Sequence, residues 1–213
     1  MQQVKPEELW FHTVDSHTLC RAGGNGPDHP SQLYTIKKYV KPGMSFLDYG
    51  MGSATTLEAL LKEKIDVKYK GLDIIPKNVA WCKENWPQGE FAVNPTIHKI
   101  DEPDKSWDVV YSRHVVDHMQ DFEGSMNEHC RVSKNLVLVV FWVPMSEKDE
   151  HEIKHIVDQG KIYEDEYTNS YSRKKVMEWI ESKKPEWELL ELTEEVGVEV
   201  KGHDWVLCLR RKS

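Results

Sequence analysis

Long apolar runs, paired cysteines and basic clusters are all missing from this 213-residue sequence, and each absence excludes a class of protein. The longest apolar run covers residues 136–143, which is far short of the ~20 residues that a membrane-spanning helix needs. The four cysteines stand far apart without a Cys-x-x-Cys pair, as is typical of reduced thiols. The first residues lack a signal-peptide pattern, so we expect a cytoplasmic protein that does not bind membranes.

Acidic side chains outnumber basic ones in this sequence. The chain has 36 acidic and 28 basic side chains, which gives a formal net charge of −8 at pH 7. Without a basic run, such a chain is not expected to bind nucleic acid avidly. Hydrophobic residues make up 39% of the chain, so a single domain of this length can bury a full core without disulfides.

From residue 44 onward, predicted strands alternate with amphipathic helices. Short apolar segments near 45–49, 67–72, 107–112 and 136–143 have strand character, and helices are predicted over residues 122–132, 147–159 and 172–184. The alternation predicts an α/β fold with a Rossmann-like, doubly wound sheet that is mostly parallel. A short link between the last two strands, near 186–192 and 204–209, makes the last strand antiparallel. Residues 1–43 are predicted to form an N-terminal helical cap and loop, within one compact domain overall.

A glycine turn follows the first predicted strand. Gly50 and Gly52 allow a tight turn and the close approach of a ligand, and Asp73 ends the next strand 21 residues after Gly52, where a carboxylate can accept ribose hydroxyls. Thr55 stands where a dinucleotide fingerprint has its third small residue, and Asp48 would repel a diphosphate. The sequence also lacks a P-loop motif. We therefore expect a nucleoside-containing cofactor with a cationic end and no phosphate.

Four segments in the right order resemble the class I S-adenosylmethionine (SAM)-dependent methyltransferases of the type 11-like group. They cover residues 47–54, 71–76, 106–121 and 131–136, and the first reads Leu47-Asp48-x-Gly50-x-Gly52-x-Ala54. The resemblance implies a methyltransferase domain over residues 44–213 and SAM as the cofactor. It implies that Asp73 binds the ribose and that the next residue, Ile74, flanks the adenine. The sequence departs from the family after its third strand, where an acid is common and Val93-Asn94-Pro95 stands here.

Two further residues are candidates for cofactor contact. Ser112 lies at the carboxyl end of a predicted strand, where ligands bind in open α/β sheets. Arg21 lies in the N-terminal stretch and is a candidate to pair with the cofactor carboxylate.

Candidates for the acceptor side come from two other segments. His114 and His118 follow the strand that ends at Ser112, and one helical turn would place them on the same face. Either is a candidate general base, although His118 matches a position that is commonly His in the family and has the alternative role of holding the loop. Asn169 and Tyr171 lie in a tyrosine-rich insertion placed where a lid would sit, and we expect them to contact the substrate.

The run His151-Glu152-Ile153-Lys154-His155 spells the H-E-x-x-H motif of zinc peptidases. Charged residues surround it and no third ligand is obvious, so we expect a solvated segment and no metal site.

These observations predict a SAM-dependent methyltransferase that acts on an oxygen or nitrogen atom of a small or medium-sized acceptor. The alternatives are a protein or RNA methyltransferase, a nucleotide-dependent oxidoreductase, and a non-catalytic SAM-fold module that binds a partner protein. The acceptor and the oligomeric state are not fixed by the pattern, because function depends on the site and not on the fold.

Overall fold

A seven-stranded sheet forms the centre of the computed structural model, which describes residues 26–158, 161–196 and 204–212. The helices are α1 (Pro30–Tyr39), α2 (Thr55–Lys62), α3 (Pro76–Asn85), α4 (Phe122–Val132) and α5 (Arg173–Lys183), with a 3-10 helix at Val116–His118. The strands are β1 (Ser45–Tyr49), β2 (Lys68–Asp73), β3 (Glu90–Val93), β4 (Trp107–Arg113), β5 (Ser133–Phe141), β6 (Glu150–Asp158), β7 (Lys161–Ser170), β8 (Trp187–Val196) and β9 (Asp204–Arg211).

The strand order is β3-β2-β1-β4-β5-β9-β8. Strands β1 to β5 pair in parallel, whereas β9 pairs antiparallel with both β5 and β8. The prediction of a mostly parallel, doubly wound sheet with an antiparallel last strand is confirmed. Because β9 runs against its neighbours, its first residues lie at the carboxyl edge of the parallel strands, where Trp205 pairs with Phe141. The residue before it, Asp204, is thereby brought to the edge at which ligands bind such sheets.

Helices cover both faces of this sheet, as the apolar character of the central strands requires. On one face, α1, α2 and α3 pack side chains such as Ile36, Leu60 and Val79 against the sheet. On the other face, α4 and α5 contribute Phe122, Met126, Val176, Trp179 and Ile180. Within the described part of the chain, none of the helices combines the length and apolarity needed to cross a bilayer.

The prediction of a helix over residues 147–159 is wrong, because Glu150–Asp158 form strand β6. It pairs with β7 in a separate two-stranded antiparallel sheet, in which Ile153 is opposite Tyr167 and Ile156 is opposite Tyr163. β-Branched and aromatic residues favour such cross-strand pairs, and the many charged residues between them concealed this preference. The helix predicted over 172–184 is confirmed as α5. The first part of the predicted N-terminal cap lies outside the described residues.

A polar cluster attaches α1 to the edge strand β8. Glu191 of β8 is 9% exposed and accepts hydrogen bonds from Tyr34 at 2.5 Å, Tyr39 at 2.5 Å, Lys38 at 2.9 Å and Thr193 at 2.6 Å. Burial pushes the pKa of Glu191 up, but the bonds from Thr193, Tyr34, Tyr39 and Lys38 outweigh burial and hold the pKa at about 2. A carboxylate with a lowered pKa stabilises the fold when it is ionised.

We expect Glu191→Gln to lower the free energy of unfolding at pH 7 by about 1–2 kcal/mol, a value discounted for partial solvent screening. In the wild type this contribution is complete above the ordinary Glu pKa near 4.5 and is lost as the pH falls towards about 2. Urea unfolding between pH 7 and pH 2.5 should therefore show a smaller acid-induced loss in the variant. Glu188→Gln, at an exposed position three residues earlier on β8, is the matched control. Equal loss in the two variants would contradict the role of the cluster.

Candidate active site

The turn between β1 and α2 has the backbone conformation that its glycines allow. Gly50 has φ +75° and Gly52 has φ +55°, a region that favours glycine over residues with a Cβ. The N–H groups of Gly50 and Met51 both donate to the carbonyl of Leu72 at the end of β2, at 2.8 and 3.1 Å. A Cβ added to Gly50 would lie 2.3 Å from Cγ2 of Val115. The turn therefore packs closely against the end of β2 and against the segment that follows β4.

Asp73 joins the end of β2 to this turn. Its carboxylate accepts from the N–H of Gly52 at 2.8 Å and from the N–H of Ile75 at 2.8 Å. Burial raises the pKa of Asp73 to about 6, against the lowering effect of these backbone hydrogen bonds. Each carboxylate oxygen has a further lone pair, so the ionised group can accept ribose hydroxyls while it holds the turn. Ile74, predicted to flank the adenine, is half-buried beside it.

Asp48 lies at the end of β1 and is 2% exposed. The Tyr69 hydroxyl donates to it at 2.7 Å. Burial raises the pKa of Asp48 to about 6, although Tyr69, Thr56 and the positive charge of Arg113 oppose this rise. The structure thus gives Asp48 partners inside the protein, and contact with a cationic cofactor end stays a prediction.

Two buried hydroxyls near the turn accept and donate no hydrogen bond within the described residues. They belong to Ser53 in the turn and to Ser112 at the end of β4. A buried polar group without a partner costs about 1–3 kcal/mol, so such atoms are common where a ligand binds. Together with the close-fitting glycine turn and Asp73, they fit the polar groups of a nucleoside cofactor. Arg21, the remaining cofactor candidate, lies outside the described residues.

Asn94 lies after β3, in the segment where the family commonly has an acidic residue and this chain has none. Its side chain donates to the carbonyls of Thr96 and, at 2.9 Å, of Lys99, and it accepts from the N–H of Asp101 at 2.9 Å. The amide is therefore used to shape its own loop.

The segment after β4 carries both candidate bases, but it does not place them on one helical turn. His114 has φ +57° and lies before the 3-10 helix that contains His118. Its Nε2 lies 3.0 Å from Oδ2 of Asp204, whereas the ring of His118 lies 6.3 Å from that of Trp142. The prediction that His114 and His118 share one helical face is wrong, because the backbone turns at His114. The general-base role of each histidine stays a prediction.

Asn169 and Tyr171 hold this segment through its backbone. Asn169 donates to the carbonyls of Asp117 at 2.9 Å and Met119 at 3.0 Å. The Tyr171 hydroxyl lies 2.6 Å from the carbonyl of Val116 and 2.5 Å from that of Met119, and its side chain is part of the core on the α4–α5 face. Both residues act as anchors of the post-β4 segment, and a substrate contact stays a prediction. They also help to line a cavity of about 450 Å³ with residues that include Gln120, Asp149 and Lys175.

The buried side chain of Asp117 attaches the post-β4 segment to the residues that follow β5. It is fully buried and accepts from the N–H groups of Trp142 at 3.4 Å and Val143 at 3.2 Å. Burial raises the pKa of Asp117 to about 8, despite the lowering effect of these backbone donors. The segment between β4 and α4 is thus attached to the end of β5 as well as to β7.

The H-E-x-x-H run lies on β6 and not on a helix. Residues four apart on a strand are about 13 Å apart along its axis, so the helical spacing on which the zinc motif depends is absent. His151 is exposed at the start of β6. The side chain of His155 lies outside the described residues.

Sequence reasoning missed Asp204, His29 and Ser31, which meet His114 at the carboxyl edge of the sheet. Ser31 donates to Asp204 Oδ2 at 2.5 Å, and His29 Nδ1 lies 2.9 Å from the Ser31 hydroxyl. One signal was available, because the predicted antiparallel last strand begins at Asp204 and so had to start at this edge. Nothing in the sequence indicated His29.

The chain is similar to known methyltransferases in sequence and in fold. Residues 47–141 match the family model described as a methyltransferase domain. A search of curated proteins finds no match.

Among solved structures, a SAM-dependent methyltransferase from Aquifex aeolicus has a TM-score of 0.62 at 18% identity, over 93% of this chain and 99% of that one. One from Mesorhizobium loti has a TM-score of 0.64 at 12% identity, over 87% of this chain and 100% of that one. The Burkholderia thailandensis 1,6-didemethyltoxoflavin-N1-methyltransferase, with its substrate and S-adenosylhomocysteine bound, has a TM-score of 0.67 at 9% identity, over 100% of this chain and 93% of that one. At these identities the likeness shows the fold.

We expect Gly50→Ala to destabilise the protein by about 1–3 kcal/mol, because a Cβ there meets both left-handed backbone strain and the Val115 side chain. Gly43→Ala tests the strain alone, since Gly43 has φ +85° and nothing within 4 Å of an added Cβ, and Gly26→Ala tests neither. Chemical unfolding of the three variants should rank their losses in the order Gly50, Gly43, Gly26. A Val115→Ala change added to Gly50→Ala should recover part of the loss. Equal losses at Gly50 and Gly43 would show that the contact with Val115 does not matter.

Proposed function

We propose that this chain, a class I SAM-dependent methyltransferase, transfers the methyl group of SAM to an oxygen or nitrogen atom of a small or medium-sized acceptor. The observation that carries the proposal is the hydrogen bond that joins the glycine turn to the end of β2. The Asp73 carboxylate accepts it from the N–H of Gly52 at 2.8 Å, at the carboxyl edge of the sheet. In a parallel α/β sheet this edge is where a nucleoside cofactor binds.

The residues that would hold SAM have separate tasks. Asp73 would accept the ribose hydroxyls, Ile74 would contact the adenine, and Gly50 and Gly52 would let the ligand approach the backbone. The hydroxyls of Ser53 and Ser112 would supply further polar contacts. When bound, SAM supplies an electrophilic methyl group on a sulfonium. The protein contributes orientation of the acceptor and exclusion of water.

The acceptor side of the proposal is the post-β4 segment, which carries His114 and His118. Tertiary contacts hold it from β5, β7 and β9, so its position does not depend on the acceptor. The Burkholderia neighbour binds a small molecule, 1,6-didemethyltoxoflavin, which supports an acceptor of that size for this chain. The net charge of −8 argues against RNA but not against a protein acceptor.

We expect Asp73→Ala to weaken SAM binding by about 10–150-fold, or about 1.5–3 kcal/mol, because it removes a charged acceptor of two hydroxyl hydrogen bonds. Isothermal titration calorimetry with SAM and S-adenosylhomocysteine measures this loss. Asp66→Ala, an exposed acid just before β2, is the matched control and should bind as the wild type does. Because Asp73 also holds the turn, circular dichroism must show that the variant is folded. Unchanged affinity in a folded variant would contradict the site.

The acceptor class is tested by incubating the protein and radiolabelled SAM with separate metabolite, protein and RNA fractions of a cell extract. We expect label in the metabolite fraction with the wild type and none with Asp73→Ala. Label that enters only the protein or RNA fraction would refute a small acceptor while leaving the methyltransferase assignment intact.

A further inference from the structure

Three side chains with metal-binding atoms meet at the carboxyl edge of the sheet, although they are far apart in the chain. They are His29 at the N-cap of α1, His114 after β4, and Asp204 at the start of β9. One ligand atom from each lies within 4.8 Å of the other two. His114 Nε2 is 3.0 Å and His29 Nδ1 is 3.6 Å from Oδ2 of Asp204.

These distances suit a shared ion. Metal–nitrogen and metal–oxygen bonds of about 2.0–2.2 Å place two neighbouring ligands about 3.0–3.5 Å apart in octahedral or tetrahedral geometry. The two distances to Asp204 lie in or near this range, and the two histidine nitrogens, which lie within 4.8 Å of each other, complete the set. The three residues come from separate elements of the core fold, so their positions are set by the packing of α1, β4 and β9.

The pKa values of the three side chains follow from their burial and from the charges beside them. Burial is the main cause that lowers the pKa of His29 to about 4, with a smaller effect of the Arg113 charge. Burial also lowers the pKa of His114, against the opposing hydrogen bond to Asp204. Burial raises the pKa of Asp204, but the His114 hydrogen bond and charge outweigh it and leave the pKa below its usual value. In the present network His114 Nε2 is hydrogen-bonded to Asp204 and His29 Nδ1 to Ser31, so each imidazole must turn an unprotonated nitrogen towards the ion in order to bind it.

One neighbour of the cluster favours cation binding and another opposes it. The Ser31 hydroxyl donates to Asp204 at 2.5 Å and orients the carboxylate, as outer-shell groups do at metal sites. The side chain of His29 caps no backbone N–H of α1, but its Nδ1 lies 2.9 Å from the Ser31 hydroxyl. Its ring lies edge-on to that of His114, with 5.5 Å between centroids. Arg113 lies close enough to act on both imidazoles electrostatically, and its positive charge must lower the affinity for a cation.

We propose that His29, His114 and Asp204 bind one divalent transition-metal ion beside the cofactor site. Two imidazoles with one carboxylate favour zinc, iron(II), cobalt(II) or manganese over magnesium and calcium. Three protein ligands leave coordination positions open, to which water or an acceptor oxygen or nitrogen can bind. A metal-bound Nε2 of His114 cannot also accept a proton, so the proposal replaces the general-base role predicted for His114.

The site is adjacent to the cofactor turn through two contacts. Arg113, the residue before His114, donates to the Thr55 hydroxyl at the start of α2 at 3.1 Å. Gln32, three residues after His29, accepts from the Thr56 hydroxyl at 3.0 Å. An ion here would therefore lie between the first turn of α2 and the acceptor side of the sheet.

The test uses the full-length, tag-free protein after chelator treatment and dialysis. Calorimetric titration with zinc, cobalt(II) and magnesium chlorides should show one zinc or cobalt ion per chain and much weaker binding of magnesium. Bound cobalt(II) should give visible absorption bands whose intensity reports its coordination number. The absence of saturable zinc or cobalt binding would overturn the proposal.

Variants locate the ion. Asp204→Asn, His29→Ala and His114→Asn should each weaken cobalt(II) binding by at least about 10-fold and change its spectrum. His98→Ala, at an exposed position, should bind cobalt(II) as the wild type does. Equal binding by all four variants, or loss of the ion only in a His151→Ala/His155→Ala double variant, would place the metal elsewhere and refute the proposal.

SAM affinity of the same variants is measured in parallel. Asp204→Asn should keep its SAM affinity, which shows that the variant is folded and separates a failure of this proposal from a failure of the cofactor site. If Asp204→Asn does not fold, the decision rests on His29→Ala, since His29 lies outside the sheet.

Discussion

The hydrogen bond from Gly52 to the carboxylate of Asp73 is the constraint on which the proposed cofactor site depends. It joins the first turn of the fold to the end of the neighbouring strand at 2.8 Å, while Gly50 and Met51 donate to the carbonyl of Leu72. These bonds satisfy backbone N–H groups that would otherwise be buried without partners. They require left-handed backbone at both glycines and a carboxylate that stays in place despite burial. The geometry of the proposed cofactor turn is therefore set by the pairing of β1 with β2.

The post-β4 segment, which we propose as the acceptor side, is organised by a different part of the chain. Asn169 and Tyr171 bind the backbone carbonyls of the post-β4 segment, and Asp117 of that segment accepts from the backbone after β5. The segment is thus held by long-range contacts on several sides, although it contains only one turn of regular helix. Such support keeps loop residues in a defined geometry, which is what a reacting acceptor needs.

Sequence patterns predicted the parts of this fold that depend on local periodicity. Strand β1 and helix α4 have the predicted bounds, Ser45–Tyr49 and Phe122–Val132, because their apolar residues recur at the periods of a strand and a helix. The β6–β7 hairpin was missed, since its charged residues have weak strand propensity and its pairs become visible only when both strands are aligned. Asp73, Gly50 and Gly52, which we propose to bind the cofactor, were singled out from one strand–turn–helix unit. The contacts of Tyr171 were not foreseeable, because its partners are carbonyls 50 or more residues away.

The antiparallel last strand explains why the unpredicted cluster lies where it does. In a fully parallel sheet, the residue that begins a strand lies at the amino edge, away from bound ligands. Reversal of β9 brings its first residue, Asp204, to the carboxyl edge, where it is 2% exposed and meets His114 at the end of β4. A buried carboxylate is costly unless it is paired, and here the neighbouring imidazoles and the Ser31 hydroxyl provide that pairing. None of these residues belongs to the β1–β2 unit, so the cluster and the proposed cofactor turn are built from separate parts of the chain.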